Sequence, residues 1–149
     1  MTIDNFKGEY RWLSNFHLCE IEWQGDTYRS VEHAYQAAKT SDPEERRKIR
    51  EAATCGKAKR LGQKVTLDPV WAARERSCKL ATMRGLLWRK FQNPLLREKL
   101  IQTGRHHLIE GNDWGDTWWG VCNGNGLNHL GRILMDIREE ILREMQGNY

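Results

Sequence analysis

Glu32, Gln36 and Lys39 are the residues of this chain whose types and spacing could do chemistry together. They lie in the run Ser30-Val31-Glu32-His33-Ala34-Tyr35-Gln36-Ala37-Ala38-Lys39. In a helix they fall at i, i+4 and i+7, so one stripe carries an acid, an amide and an amine. A carboxylate can take a proton from water or stabilise growing positive charge. A lysine with a lowered pKa can attack a sugar aldehyde and form a Schiff base. Apolar residues are few here, so the stripe either faces something other than solvent or is an ordinary solvated Glu–Lys face. Ser30 is placed as the N-cap, and Glu32 lies in the first turn, where the helix dipole favours a carboxylate. His33 stands where a full capping box needs Glu or Gln.

A second constellation runs from Gly111 to Gly131. Asp116 lies beside Trp118 and Trp119, among glycines that let backbone approach a ligand closely. Gly124, Gly126 and Asn128 lead into the last helix, whose start is an anion site by geometry. Gly126 and Asn128 are therefore candidate phosphate contacts. The spacing is not a dinucleotide fingerprint, because counting from Gly124 the third glycine falls at His129. No G-K-[ST] follows, so it is not a P-loop. The alternative is a structural turn with capping residues.

The chain has 149 residues, a length for one domain with its own core, 1–149. No repeat, low-complexity run or Pro-rich linker divides it. A net charge of +4 permits contact with nucleic acid or phosphorylated ligands without demanding it. No apolar run is long enough for a membrane span, and MTIDNFKGEY lacks a signal-peptide core. No membrane partner and a cytoplasmic location are the expectation. The four cysteines form no C-x-x-C pair, so they read as reduced structural thiols. No metal is expected, since His106 and His107 would point to opposite faces of a strand. Seven tryptophans are mostly core, with those in turn-like segments left as stacking candidates.

Residues 18–23 alternate as a half-buried strand, and Gln24-Gly25-Asp26 turns into a second strand near 27–29. Asp42-Pro43 starts a charged helix reaching about Thr54, and Lys57 to Gly62 forms a short one. Asp68-Pro69 starts a helix running to about Gln92, and Asn93-Pro94 another ending at Thr103-Gly104. Residues 107–110 form a short strand. Leu127, Leu130, Leu134, Ile137, Ile141 and Met145 make the apolar stripe of the last helix. The class is α+β, helix-dominated, with a few short strands.

An ordered set of short motifs then carries a resemblance. Trp12-Leu13-Ser14-Asn15-Phe16, Glu32-His33-Ala34-Tyr35-Gln36 with Lys39, Trp71 with Arg74, Lys90-Phe91 and Thr103-Gly104 come first. Ile109-Glu110, Trp119-Gly120, Asn128, Leu130-Gly131, Leu134-Met135 and Ile137-Arg138 follow. In this order they resemble the NADAR (YbiA-like) family over nearly the whole chain. The resemblance implies a helix-rich N-glycosidase acting on ADP-ribose-related molecules without a cofactor. It implies catalytic roles for Glu32, Asp116 and Lys39, and aromatic contacts from Trp71 and Trp119. Ser14, Asn15, Phe16 and Gly120 belong to the same implied binding set. The implied substrates are ADP-ribosylated guanine in DNA or RNA, opposing an ADP-ribosyltransferase toxin as an antitoxin, or early riboflavin intermediates.

The residues fit that chemistry on their own terms. Breaking a ribosyl C–N bond builds positive charge on the sugar, as glycoside hydrolysis does. The basic run Arg46, Arg47, Lys48, Arg50, Lys57, Lys59, Arg60, Lys64 suits either a phosphate backbone or a solvated face. A non-catalytic ADP-ribose reader is the competing class. It needs the aromatics and the anion site, but no acid.

Overall fold

The computed structural model of the chain describes residues 1–147. Three of its helices start by one local rule. Asp42, Asp68 and Asn93 each accept two backbone N–H groups, with proline in the first turn behind them. The cap satisfies donors the helix leaves open, and proline gives up none that is needed. They open α2 (Pro43–Arg50), α4 (Pro69–Ala73) and α6 (Pro94–Gln102). Ser30 caps α1 (Val31–Ala38) by accepting the His33 N–H, and Thr54 caps α3 (Cys55–Gly62) through Lys57.

The helix expected from Asp68 to Gln92 is two helices. α4 ends at Arg74, whose backbone (φ −132°, ψ 47°) leaves the helical region, and α5 spans Glu75–Lys90. Ala73-Arg74-Glu75 carries no breaker, so the cause is tertiary. Met83, Leu86, Leu87 and Lys90 are the buried residues of α5, and Trp71 that of α4. At about 100° per residue, an unbroken helix would aim Trp71 roughly 110° away from the mean of those four. The break lets both sets be buried. α2 also stops short of Thr54, since Ala52 is buried and its carbonyl accepts from His33 and Arg29.

The strands are short and pair in twos. β2 (Ile21–Trp23) and β3 (Asp26–Tyr28) form an antiparallel hairpin through Gln24 and Gly25, both at positive φ, the two-residue turn that matches strand twist. Only the second half of the expected strand 18–23 is regular. Ile21 is nevertheless buried and Glu20 and Glu22 exposed, as the alternation requires. β1 (Thr2–Ile3) pairs parallel with β4 (His107–Leu108), and β5 (Gly111–Asn112) with β6 (Val121–Cys122). The long loop after residue 110 therefore holds a two-residue ladder of its own.

The chain gathers into two compact units, residues 15–90 and residues 1–14 together with those from Phe91 onward. The first holds β2, β3 and α1 to α5 around Ile21, Val31, Ile49, Met83, Leu86 and Leu87. The second holds the other strands, a 3₁₀ helix (Gly8–Leu13), α6 and α7 (His129–Gly147) around Leu13, Phe91, Leu100, Leu108, Leu134 and Ile137. The α7 stripe holds at Leu130, Leu134, Ile137 and Ile141. Its expected ends do not: Leu127 precedes the helix and, like Met145, is about half exposed. Arg138 is buried instead, donating to Thr103 Oγ1 at 2.8 Å and the His106 carbonyl at 2.9 Å. No described helix is long and apolar enough to cross a membrane.

A buried relay locks the start of α1. Cys55 Sγ lies 3.3 Å from Ser30 Oγ, Ser30 Oγ lies 2.7 Å from His33 Nδ1, and His33 Nε2 lies 3.0 Å from the Ala52 carbonyl. A carbonyl only accepts, so Nε2 carries the proton and Nδ1 accepts from Ser30. A second proton would break the relay. Burial lowers the His33 pKa, outweighing the Ala52 hydrogen bond, and Arg29 lowers it further. As pH falls below the ordinary histidine value of about 6.5, the unfolded chain binds a proton that the folded chain refuses. Stability is thus fully present above that value and lost as pH falls towards the depressed folded pKa. The melting temperature is expected to drop between pH 7.5 and 5. A His33→Gln variant should show a shallower drop, and an equal slope in both proteins would remove His33 as the cause.

Candidate functional site

In unit 15–90 the polar stripe of α1 turns inward. Every residue from Val31 to Ala37 is buried, with Glu32 7% and Gln36 4% exposed. Gln36 Nε2 donates to Glu32 Oε1 at 2.7 Å, so the carboxylate is held from four residues on. The Glu32 N–H, one of the open donors of the first turn, is taken by the Asn15 carbonyl at 3.1 Å. The Asn15 side chain donates to Met83 Sδ, and its buried Oδ1 has no hydrogen-bond partner among the described residues. The Phe16 carbonyl accepts from Cys55. Two members of the expected binding set thus pack at the head of this helix.

Lys39 closes the stripe, half-buried at the end of α1. Its ammonium lies 5.4 Å from the Tyr35 ring centroid, and Tyr35 meets Trp71 edge-on at 5.8 Å and 67°. Asp68 ties these together: its N–H donates to the Lys39 carbonyl, while its side chain caps α4 at Val70 and Trp71. Burial lowers the Lys39 pKa, against the opposing pull of Glu32, and the positive charges of Lys79 and Lys59 lower it further. An amine held below its ordinary range gains nucleophilic character. Trp71 is itself buried, packed against Tyr35. A second lysine, Lys90, is fully buried at the end of α5, and burial pushes its pKa down to about 8.

The other unit holds the tryptophan loop. Asp116 Oδ1 accepts from the N–H groups of Trp118 (3.1 Å) and Trp119 (2.9 Å), a local turn that fixes the backbone carrying both indoles. Asn112 holds Asp116 by its main chain, accepting its N–H and donating to its carbonyl. Trp118 and Trp119 meet edge-on at 4.6 Å, and Trp118 meets His129 at 4.5 Å. Gly120 and Gly126 have a packing cause. A Cβ on Gly120 would strike Glu110, and one on Gly126 the Gly120 carbonyl and, at 2.9 Å, Val121 Cα. Asn128 spends its side chain on β4 and its surroundings, accepting from the Glu110 N–H and donating to the Leu108 carbonyl. The N–H groups of Leu127, Asn128, His129 and Leu130 donate to the carbonyls of Thr117, Gly120, Trp118 and Trp119. The helix start expected to be open to an anion is closed at Leu127 and Asn128, because the loop clasps it. Ser14 also lies in this unit, ending the 3₁₀ helix through the Arg11 carbonyl.

The basic run is partly engaged locally. Arg46 donates to the Thr40 carbonyl, Arg47 pairs with Glu44 and Glu51, and Arg50 lies 3.3 Å from Asp26. Lys48, Lys57, Lys59, Arg60 and Lys64 remain exposed. Tyr35 and Asp68 were not singled out in the sequence as parts of a site. Tyr35 stood within the Glu32-His33-Ala34-Tyr35-Gln36 motif without a role of its own, at i+3 from Glu32 and i−4 from Lys39.

The buried acid and amide and the half-buried amine lie on one stripe of a helix-rich α+β chain, and comparison with known proteins places that chain in a family. The NADAR domain family matches residues 4–142, and the chain belongs to that family. It is 35% identical over 150 residues to the N-glycosidase YbiA of Escherichia coli, covering 96% of this chain and 91% of that one. It is 39% identical over 161 residues to an N-glycosidase of Nostoc punctiforme, covering 100% and 99%. A riboflavin biosynthesis protein of Vibrio vulnificus is 36% identical over 132 residues, 87% of this chain but 35% of that longer protein. The NMR structure of Escherichia coli YbiA superposes with a TM-score of 0.85 at 31% identity, covering all of this chain and 88% of that one.

Asp116 holds a turn, so its substitutions separate scaffold from chemistry. Asp116→Ala loses an acceptor of two N–H groups and should cost about 1 kcal/mol of stability, the scale of a lost cap. Asp116→Asn keeps an acceptor oxygen and should melt near the native temperature. If the carboxylate charge is used in the reaction, only a rate loss in Asp116→Asn reports it. Native turnover in Asp116→Asn with lowered melting in Asp116→Ala would make Asp116 a turn residue only.

Proposed function

We propose that this chain hydrolyses a ribosyl C–N bond, removing ADP-ribose from guanine in modified nucleic acid. The single observation that carries the reading is the buried Glu32 carboxylate held by Gln36, with the half-buried, pKa-lowered Lys39 at the end of the same stripe. A ligand reader has no use for a fixed buried acid beside an amine. The N-glycosidase relatives support the reaction class.

In this mechanism Glu32 faces the sugar C1″. Positive charge grows there as the C–N electrons leave with the base, and the carboxylate stabilises it. The base leaves with a proton drawn from solvent, water adds to C1″ as Glu32 takes its proton, and Glu32 returns that proton to solvent. A covalent variant uses Lys39: its amine adds to C1″ of the opened sugar, the base departs, and water hydrolyses the imine. Asn15 Oδ1, buried with no partner among the described residues, is the proposed acceptor for a substrate hydroxyl. Trp71, at the stripe, is proposed as an aromatic contact for a planar group, and Trp119 is proposed separately as an aromatic contact of the tryptophan loop. The exposed lysines of α3 would add phosphate attraction for a nucleic-acid substrate, and an ADP-ribosyltransferase toxin is the proposed counterpart.

A second reading has its own support. The relatives from Vibrio vulnificus and Zea mays are named riboflavin biosynthesis proteins, and this chain spans 35% and 23% of their lengths. Under that reading the same stripe cleaves a ribose phosphate from a riboflavin intermediate.

The deciding assay supplies ADP-ribosylated guanosine DNA and a riboflavin-pathway ribosyl intermediate separately and identifies products by mass. Released ADP-ribose with unmodified guanine is the expected result, and turnover of the riboflavin intermediate alone would replace the first reading with the second. Glu32→Gln should keep the fold and lower turnover by about 10² or more. A folded Glu32→Gln protein with native turnover would remove Glu32 from the reaction. Borohydride added during turnover should trap a ribose adduct on Lys39 if the covalent route is used. No adduct together with full activity of Lys39→Arg would leave Lys39 outside the chemistry.

A further inference from the structure

We propose that Gly62, on α3, is a positioning residue for the reaction: its missing side chain holds the Gln36 amide against Glu32. The inference rests on the reading of Glu32 as the reacting acid. Gly62 is the last residue of α3 and is not among the residues at positive φ, so backbone freedom does not explain it. The explanation is space. A Cβ on Gly62 would stand 2.6 Å from Gln36 Cδ and 2.8 Å from Gln36 Cβ, and closer still to Oε1.

The surroundings allow no easy escape. Gln36 is 4% exposed, and its Cβ is fixed by the backbone of α1. Cys55, Ala58 and Gly62 form the buried seam of α3, three small residues at i, i+3 and i+7. The seam brings α3 close to α1, where Ala34 and Ala37 are also buried. Gln36 Oε1 lies over Gly62 with no hydrogen-bond partner among the described residues, while Nε2 faces Glu32. The amide is therefore oriented by packing at one end and by the carboxylate at the other. A methyl on Gly62 would drive the amide off Glu32 or push the helices apart. Either outcome leaves a buried carboxylate without one of its donors.

The test is a double-mutant cycle with Gly62→Ala and Gln36→Met, assayed on ADP-ribosylated guanosine. Gly62→Ala should lower kcat roughly tenfold to a hundredfold, the scale of a small misplacement of a reacting group, with KM within about twofold. Gln36→Met, which keeps the size but removes the N–H donor, should lower kcat similarly. In the Gln36→Met background Gly62→Ala should add little, because the two act through one contact. Equal losses from Gly62→Ala in both backgrounds would overturn the proposal, as would native kcat in folded Gly62→Ala. Should Gly62→Ala fail to fold, native kcat in Gln36→Met would overturn it instead.

One readout needs no substrate. The Gln36 side-chain N–H signals, assigned by their loss in Gln36→Met, should exchange slowly in the native protein and faster in both Gly62→Ala and Glu32→Ala. Unchanged exchange in a folded Gly62→Ala protein would contradict the contact. Slow native exchange with no turnover of ADP-ribosylated guanosine would defeat the substrate reading alone.

Discussion

A carboxylate taken out of water needs hydrogen bonds to offset its lost hydration. Glu32 is that group here, and the neighbouring structure follows from keeping it. Gln36 supplies an N–H from one turn away, and Asn15 takes the backbone donor of Glu32 itself. Ser30, His33, Cys55 and Ala52 lock the helix start that carries both. The small residues of α3 let a second helix lie close against the polar stripe at Gln36. Lys39 is then held where burial works against its charge and Glu32 works for it.

The tryptophan loop solves a different problem with similar means. Two large aromatic side chains in a glycine-rich segment would be mobile without an anchor. Asp116 anchors their backbone, Asn112 anchors Asp116, and the start of α7 is clasped by carbonyls from residues 117–120. The glycines at 120 and 126 are required because backbone passes backbone there. Residue types that suggest an anion site thus also build a rigid loop, and the hydrogen bonds show the loop being built.

Much of the frame was legible because it is local. Caps with proline behind them at Asp42, Asp68 and Asn93 need only neighbouring residues, and so does the Gln24-Gly25 turn. The spacing of Glu32, Gln36 and Lys39 put them on one stripe, and the thin apolar content hinted that it faces inward. The ordered motifs carried the family. What was not legible depends on distant partners. The break at Arg74 comes from burying Trp71 and Leu87 at once, and good helix formers hide it. The exposure of Leu127 and Met145 reflects where the core ends, which a periodic pattern cannot mark. Gly62 looked like the end of a short helix, and its role appears only when Gln36 lies against it.

The central claim is that the stripe of α1 is where the sugar is handled. It is tested most directly by NMR titration of the native protein with ADP-ribose, following the Glu32 side-chain carboxyl carbon and the Lys39 side-chain nitrogen. Saturable shifts of both signals, together and with one binding constant, are the expected result. Saturable binding seen elsewhere in the protein, with both signals unmoved, would contradict the account.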